Sequence, residues 1–247
     1  MVRAPNEVDR VERALVSAIV GGAYPSGLRL PAETELAAQH GCGRSTVREA
    51  LGRLSTRGLV ASRRGSGAHV LDWRREGTPA LLPAYLASGV SPEDAPRLFA
   101  ELLHLRSLLA REATRLAARY APDASLAGAR DALTSLRASD DPVAIALAEL
   151  RFFRALVTAS GVWPAVWLAN SFWSPMHEVN ALLAPAAGGP PPGHAAALEK
   201  LLDLIEAGKE KAALAHLEKL LSRVDKVLKN RLFVPSTGRP SKAKRKV

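Results

Sequence analysis

The sequence predicts a mainly α protein of two parts, an N-terminal winged helix-turn-helix and a C-terminal all-α helical bundle. Three observations carry that reading. Residues 28–71 hold two short helical patterns separated by Gly41-Cys42-Gly43 and followed by two short β-type runs around a basic, glycine-rich tip. Beyond residue 77 the composition turns to Ala and Leu at helical spacing, with almost no strand pattern. The chain has 247 residues, 47% of them hydrophobic, enough for two separate cores.

The first helix is expected over about Val8 to Val20, with Val11, Leu15, Ala18 and Ile19 on one face and Gly21-Gly22 ending it. Leu28-Arg29-Leu30-Pro31 reads as a short extended piece. Glu33 to His40 forms the second helix, and the glycines of Gly41-Cys42-Gly43 permit the sharp turn after it. The third helix runs to about Ser55, with Ser45 as its expected cap and Val47, Leu51 and Leu54 facing inward. Leu59-Val60-Ala61 and Ala68-His69-Val70 are the wing strands, with the tip at Arg63 to Gly67.

The expected division places the winged domain at 8–72, a linker with a short helix at 73–91, the helical effector and dimerisation domain at 92–232, and a disordered basic tail at 233–247. Further helices are expected at about 79–87, 93–120, 123–138, 142–159, 162–183, 195–207 and 209–231. A break is placed from Pro185 to Gly193. Trp163, Trp167 and Trp173, at near-helical spacing, read as core or dimer packing rather than a stacking platform.

The net charge of +10 is uneven. Residues 1–76 carry +4, residues 77–228 carry −1 and the last 19 residues carry +7. A basic end attracts a polyphosphate without naming a sequence. No apolar run reaches the ~18 residues of a membrane span, and the N-terminus lacks a secretory pattern. The single cysteine, Cys42, suits a reducing compartment, so a cytoplasmic location is expected. No phosphate-cradling glycine loop or nucleophile elbow is present, which argues against an enzyme.

Arg44, Ser45, Thr46 and Arg48 cluster at the start of the third helix, where a helix entering the major groove points at base edges. An arginine there can bridge guanine O6 and N7, and the hydroxyls can bond phosphates or bases. Arg64 and Gly65 at the wing tip are placed to touch a neighbouring groove or backbone. The partner this implies is double-stranded DNA.

LPAETELAAQHGCGRSTVREALGRLSTRGLV, ending in the wing RRGSGAHV, resembles the DNA-binding domain of the GntR family of bacterial regulators over about residues 8–72. The resemblance implies operator contacts by Arg44, Thr46, Arg48 and Gly65. Thr34 departs from it, because many relatives carry an arginine there. HLRSLLAREATRLAA, ELRFFRALVTASG and LLDLIEAGKEKAALAHL resemble the FCD effector domain of the family's FadR branch.

In the larger branch of such domains an Asp and three His hold a divalent metal that a carboxylate effector completes. That pattern fails here, because Phe153 stands where the first His is usual. The positions level across the last helical hairpin are Leu198 and Leu220. His194 and His216 would be staggered by roughly 9 Å at ~1.5 Å per residue. No metal or other cofactor is therefore expected.

The expected effector pocket is lined by Arg106, Glu149, Phe153, Leu198 and Leu220. It suits an apolar ligand, with Arg106 facing the ligand's anionic group. Metal loss of this kind resembles the acyl-CoA-responsive FadR-type members, so a long-chain acyl-CoA is the leading effector class. A polar or metal-carboxylate effector, a solid core with no effector, and a nonspecific architectural DNA-binding protein remain as alternatives. The resemblance implies a homodimer reading an inverted repeat.

Overall fold

The computed structural model describes residues 6–63, 66–88, 91, 93–121 and 123–233. The wing-tip residues Arg64 and Gly65 and the basic tail from residue 234 lie outside them.

Helix α1 (Glu7–Val20) starts from a reciprocal cap. The Asn6 side chain accepts from the Asp9 amide at 2.9 Å, and the Asp9 carboxylate accepts from the Asn6 amide at 3.0 Å. Its buried face is Val11, Leu15, Val16 and Ile19, so Val16 takes the place expected of Ala18, which lies at the edge of the stripe. Helices α2 (Glu33–His40) and α3 (Arg44–Thr56) flank a turn in which Gly41 adopts φ +60°, a left-handed conformation that costs glycine nothing.

The α3 cap differs from the expectation. The helix begins at Arg44, its N-cap is Gly43, and no side chain closes it, so Ser45 lies within the first turn. Gly43 already has the extended backbone of a cap, which starts the helix one residue ahead of the serine.

Strands β1 (Val60–Arg63) and β2 (Gly67–Val70) pair antiparallel with Val60 opposite Val70. The extended piece joins them: the Leu30 amide donates to the Ala68 carbonyl and the Val70 amide to the Leu28 carbonyl, both at 2.9 Å. Leu36, Val47, Leu54, Leu59 and Val70 close the first core over α1. On hydrophobic burial alone each such side chain stabilises by about 1.5–3 kcal/mol.

The charged segment after the wing folds back as α4 (Trp73–Glu76), capped by Asp72, and α5 (Leu81–Ala87). Leu81 and Ala84 complete the first core. Gly58, at φ +71°, makes this possible. A Cβ there would lie 1.9 Å from the Glu76 carbonyl oxygen, so only glycine lets the linker cross the end of α3. Thr78 fastens the crossing, its amide on the Arg57 carbonyl at 3.1 Å and its hydroxyl on the Thr56 carbonyl at 3.0 Å.

The second part packs α6 (Ala95–Tyr120), a 3-10 turn (Asp123–Leu126), α7 (Ala127–Arg137), α8 (Pro142–Ala159), α9 (Trp163–Ala187), α10 (His194–Glu206) and α11 (Glu210–Phe233) around a second core. Phe152, Leu156, Leu198, Leu201, Leu202 and Leu217 are fully buried in it. Helix α8 lies centrally, touching α6, α7 and α9, while α6 also packs on α11.

Helix α9 runs past the expected break, with Pro175 and Pro185 inside it. Each proline removes only its own N–H, and packing of α9 against α8, α5 and α11 keeps the rest of the helix in place. Trp163 and Trp167 are 71% and 63% exposed in the single chain, so they do not belong to its core. Among the described residues no helix is long and apolar enough to cross a membrane.

Candidate DNA interface and effector site

Charge divides α3 into two halves with different partners. In its C-terminal half, Arg53 reaches Asp9 at 2.8 Å, Glu12 at 3.2 Å and Glu49 at 2.7 Å, and Arg57 ion-pairs Glu12. Glu12 is only 4% exposed, so this lash ties α3 to α1 through a buried carboxylate. Burial pushes the Arg57 guanidinium below its ordinary value, opposed by the charges of Glu178 on α9 and of Asp9.

The N-terminal half of α3 is left to the surface. Arg44, Ser45 and Arg48 are exposed, and the uncapped first turn offers backbone N–H groups to an anion. Thr46 is half-buried and turns its hydroxyl toward Glu7, 3.4 Å away. Arg48, with 74% of its side chain exposed, is held by Glu33 of α2 through contacts of 2.8 and 3.2 Å. The guanidinium hydrogen bond and charge hold the Glu33 carboxyl below its usual range. An exposed pair of this kind contributes little to stability, so Arg48 can leave it for a phosphate or base at small cost. Next to the wing tip, Gly67 sits against the Arg29 guanidinium, bringing a further cation to this edge.

In the helical domain, Arg106 of α6 and Glu149 of α8 come together with His194, which the sequence offers only as a misaligned metal ligand, and with Asp225, which it does not single out. His194, on α10 and 3% exposed, places Nε2 2.9 Å from the Glu149 carboxylate. Asp225 of α11 faces Arg106 at 3.7 Å. Burial works to raise the Glu149 carboxyl, but the His194 hydrogen bond and the charges of Arg106 and His194 outweigh it and hold the group below its usual range. Asp225 shifts the other way: burial dominates and raises it, against the pull of Arg106.

Several buried atoms of this quartet lack a hydrogen-bond partner among the described residues: Nε and one terminal nitrogen of Arg106, Nδ1 of His194 and one Asp225 oxygen. Leu198 and Leu220 are buried in the packed core, whereas Phe153 is half-buried and meets Phe152 edge-on at 5.3 Å.

Two family models match the chain, and together they span most of it. Bacterial regulatory proteins of the gntR family match over residues 7–70, and the FCD domain over residues 101–223. The chain belongs to the GntR family.

Among the relatives of this GntR-family chain, an HTH-type transcriptional regulator of Mycobacterium tuberculosis is 32% identical over 60% of each chain. The fatty acid metabolism regulator protein of Edwardsiella ictaluri is 32% identical over 65% of each. The chain thus spans a little under two thirds of the length of the curated relatives it matches. A solved structure described with Lar, which controls expression of the agr system in Listeria monocytogenes, has the same fold. Its TM-score is 0.59 at 16% identity, covering 92% of this chain and 98% of the other.

The donor set does not fit the divalent metal that the resemblance to one branch of FCD domains raises. His194 is engaged with Glu149, and His216 Nε2 donates to the Ala197 carbonyl, 2.8 Å away and nearly a turn along α10 from His194. Leu198 and Leu220 have no metal-binding atoms. Among the described residues no three His, Cys, Asp or Glu side chains gather as a cation site.

Proposed function

We propose that this GntR-family chain is a sequence-specific DNA-binding transcriptional regulator whose operator affinity is set by a small effector in the helical domain. The exposed, uncapped first turn of α3, with Arg44 and Arg48 outside and the lash to α1 behind it, carries the DNA half of this reading. Arg44, Ser45 and Arg48 would address bases or phosphates, Thr46 the backbone, and Arg64 and Gly65 the neighbouring groove. Two copies would read an inverted repeat, since a two-fold protein matches a two-fold site. Binding rather than turnover is the work of the chain.

For the effector, the proposed class is a long-chain acyl-CoA. It is supported by relatives named for fatty acid metabolism and by the apolar Phe153, Leu198 and Leu220, which the family resemblance aligns with metal-ligand positions. Arg106 would meet its anionic portion. A second reading, a small polar carboxylate, is favoured by the buried quartet and its unpartnered donors, which an alkyl chain alone would leave unsatisfied.

Thermal unfolding of the full chain with palmitoyl-CoA, palmitate, citrate, or zinc with citrate separates the readings. A shift with palmitoyl-CoA alone supports the first, and one with citrate alone the second. A shift that needs zinc would overturn the argument from the donor set.

A further inference from the structure

All seven arginines on α6 and α7 ion-pair a carboxylate: Arg97, Arg106, Arg111, Arg115 and Arg119 on the first, Arg130 and Arg137 on the second. The two on α8 break this rule. Arg151 is exposed and has no carboxylate partner among the described residues. Among the described residues Arg154 is held by neutral groups: it donates to the Asn170 side-chain carbonyl at 3.1 Å and stacks on Trp173 with its guanidinium carbon 4.3 Å from the ring centroid.

These two guanidinium groups lie one helical turn apart and share a groove of about 540 Å³ between α7, α8 and α9. That volume is within the ordinary range of small-ligand sites, about 300–1,000 Å³. No carboxylate lines the groove among its described residues, and its floor is small, formed in part by Gly128 and Ala155. Residues 151, 154, 155 and 158 fall on the face of α8 opposite Glu149, so the groove is separate from the proposed effector site.

We infer that this groove is a second binding site, which takes a small molecule bearing a phosphate or diphosphate group. Arginine suits this task better than lysine, because its planar fork meets two phosphate oxygens at once. Stacking on Trp173 holds the Arg154 fork before the ligand arrives, which reduces the ordering cost of binding. The Trp173 edge at the rim gives an attached aromatic base a surface to pack on. A ligand there would bridge α8 to α9, the helix that also touches α5 and brings Glu178 toward Arg57. The inference stands apart from the acyl-CoA reading and does not depend on it.

Calorimetric titration of the full chain with pyrophosphate, ADP and adenosine, at fixed ionic strength, tests it. The parent chain is expected to bind pyrophosphate and ADP but not adenosine. The Arg151→Ala/Arg154→Ala variant should bind at least tenfold more weakly with unchanged circular dichroism. Arg151→Lys/Arg154→Lys should lie between, because the charge stays but the fork is lost. Arg97→Ala removes an exposed cation elsewhere in the helical domain and should bind like the parent. Tighter binding of ADP than of pyrophosphate assigns the Trp173 rim to a base, and equal binding assigns the groove to the phosphates alone. Absence of binding by the parent, adenosine binding as tightly as ADP, or equal binding by the double alanine variant would each overturn the site.

Discussion

Glu149 and His194, forty-five residues apart in the chain, meet at 2.9 Å between α8 and α10. Their contact makes one polar pair inside an otherwise apolar bundle, and Arg106 and Asp225 extend it to α6 and α11. Four helices therefore converge on groups whose charges depend on one another.

Removing the Glu149 carboxylate should expose how much that convergence is worth. Glu149→Gln is expected to cost about 1.5–3 kcal/mol at pH 7, the usual range for a hydrogen bond to a charged group. Glu149 titrates below its unfolded value of about 4.3. The pair's contribution is therefore complete above that pH and lost as pH falls through the lower, folded-state value. Urea unfolding over a descending pH series should show the gap between parent and variant largest at pH 7 and narrowing only below about 4.3. Asp225, raised by burial, has the opposite sign, and because the Glu149 charge also helps to raise it, its own titration moves toward the ordinary range in the variant.

Arg48→Ala should separate DNA affinity from stability. Its pair with Glu33 is exposed and screened by solvent, so the unfolding free energy should barely change. Operator affinity should fall by about 1–3 kcal/mol if Arg48 reads a base. Glu33→Gln should act in the opposite direction, strengthening binding by freeing the guanidinium and removing a carboxylate from the interface. Fluorescence anisotropy of a labelled duplex reads both.

Gly58→Ala tests the seat of the linker on α3. A Cβ at this position meets the Glu76 carbonyl at 1.9 Å and requires φ +71°. The variant should lose about 1–3 kcal/mol or release the 72–78 segment from the end of α3. Chemical denaturation measures the first outcome, and amide exchange at Thr78, whose N–H bonds the Arg57 carbonyl, measures the second.

The winged domain was legible in the sequence because each of its elements is specified locally. Gly41 sets its turn, Val47, Leu51 and Leu54 repeat at helical spacing, and the wing alternates around glycine. Arg106 and Glu149 were also named from the sequence, and the structure sets their charges close enough to interact. Their pairing with His194 and Asp225 was not legible: both reach them from distant helices, and no spacing within one segment encodes such a meeting. Glu12 escaped for a related reason. A glutamate on an amphipathic helix reads as a solvent-facing charge, and only the packing of Arg53 and Arg57 against it makes burial affordable. The α9 boundary was misplaced because proline is a local signal, whereas tertiary packing carries the helix through Pro185.

Selection of duplexes from a randomised pool by the full chain, followed by titration of the selected duplex with palmitoyl-CoA, tests the central claim most directly. An enriched inverted repeat, bound at least about 10³-fold more tightly than its scrambled counterpart and with an affinity that changes on adding palmitoyl-CoA, is the predicted result. Equal binding to selected and scrambled duplexes would contradict sequence-specific regulation and favour an architectural role for the basic ends of the chain.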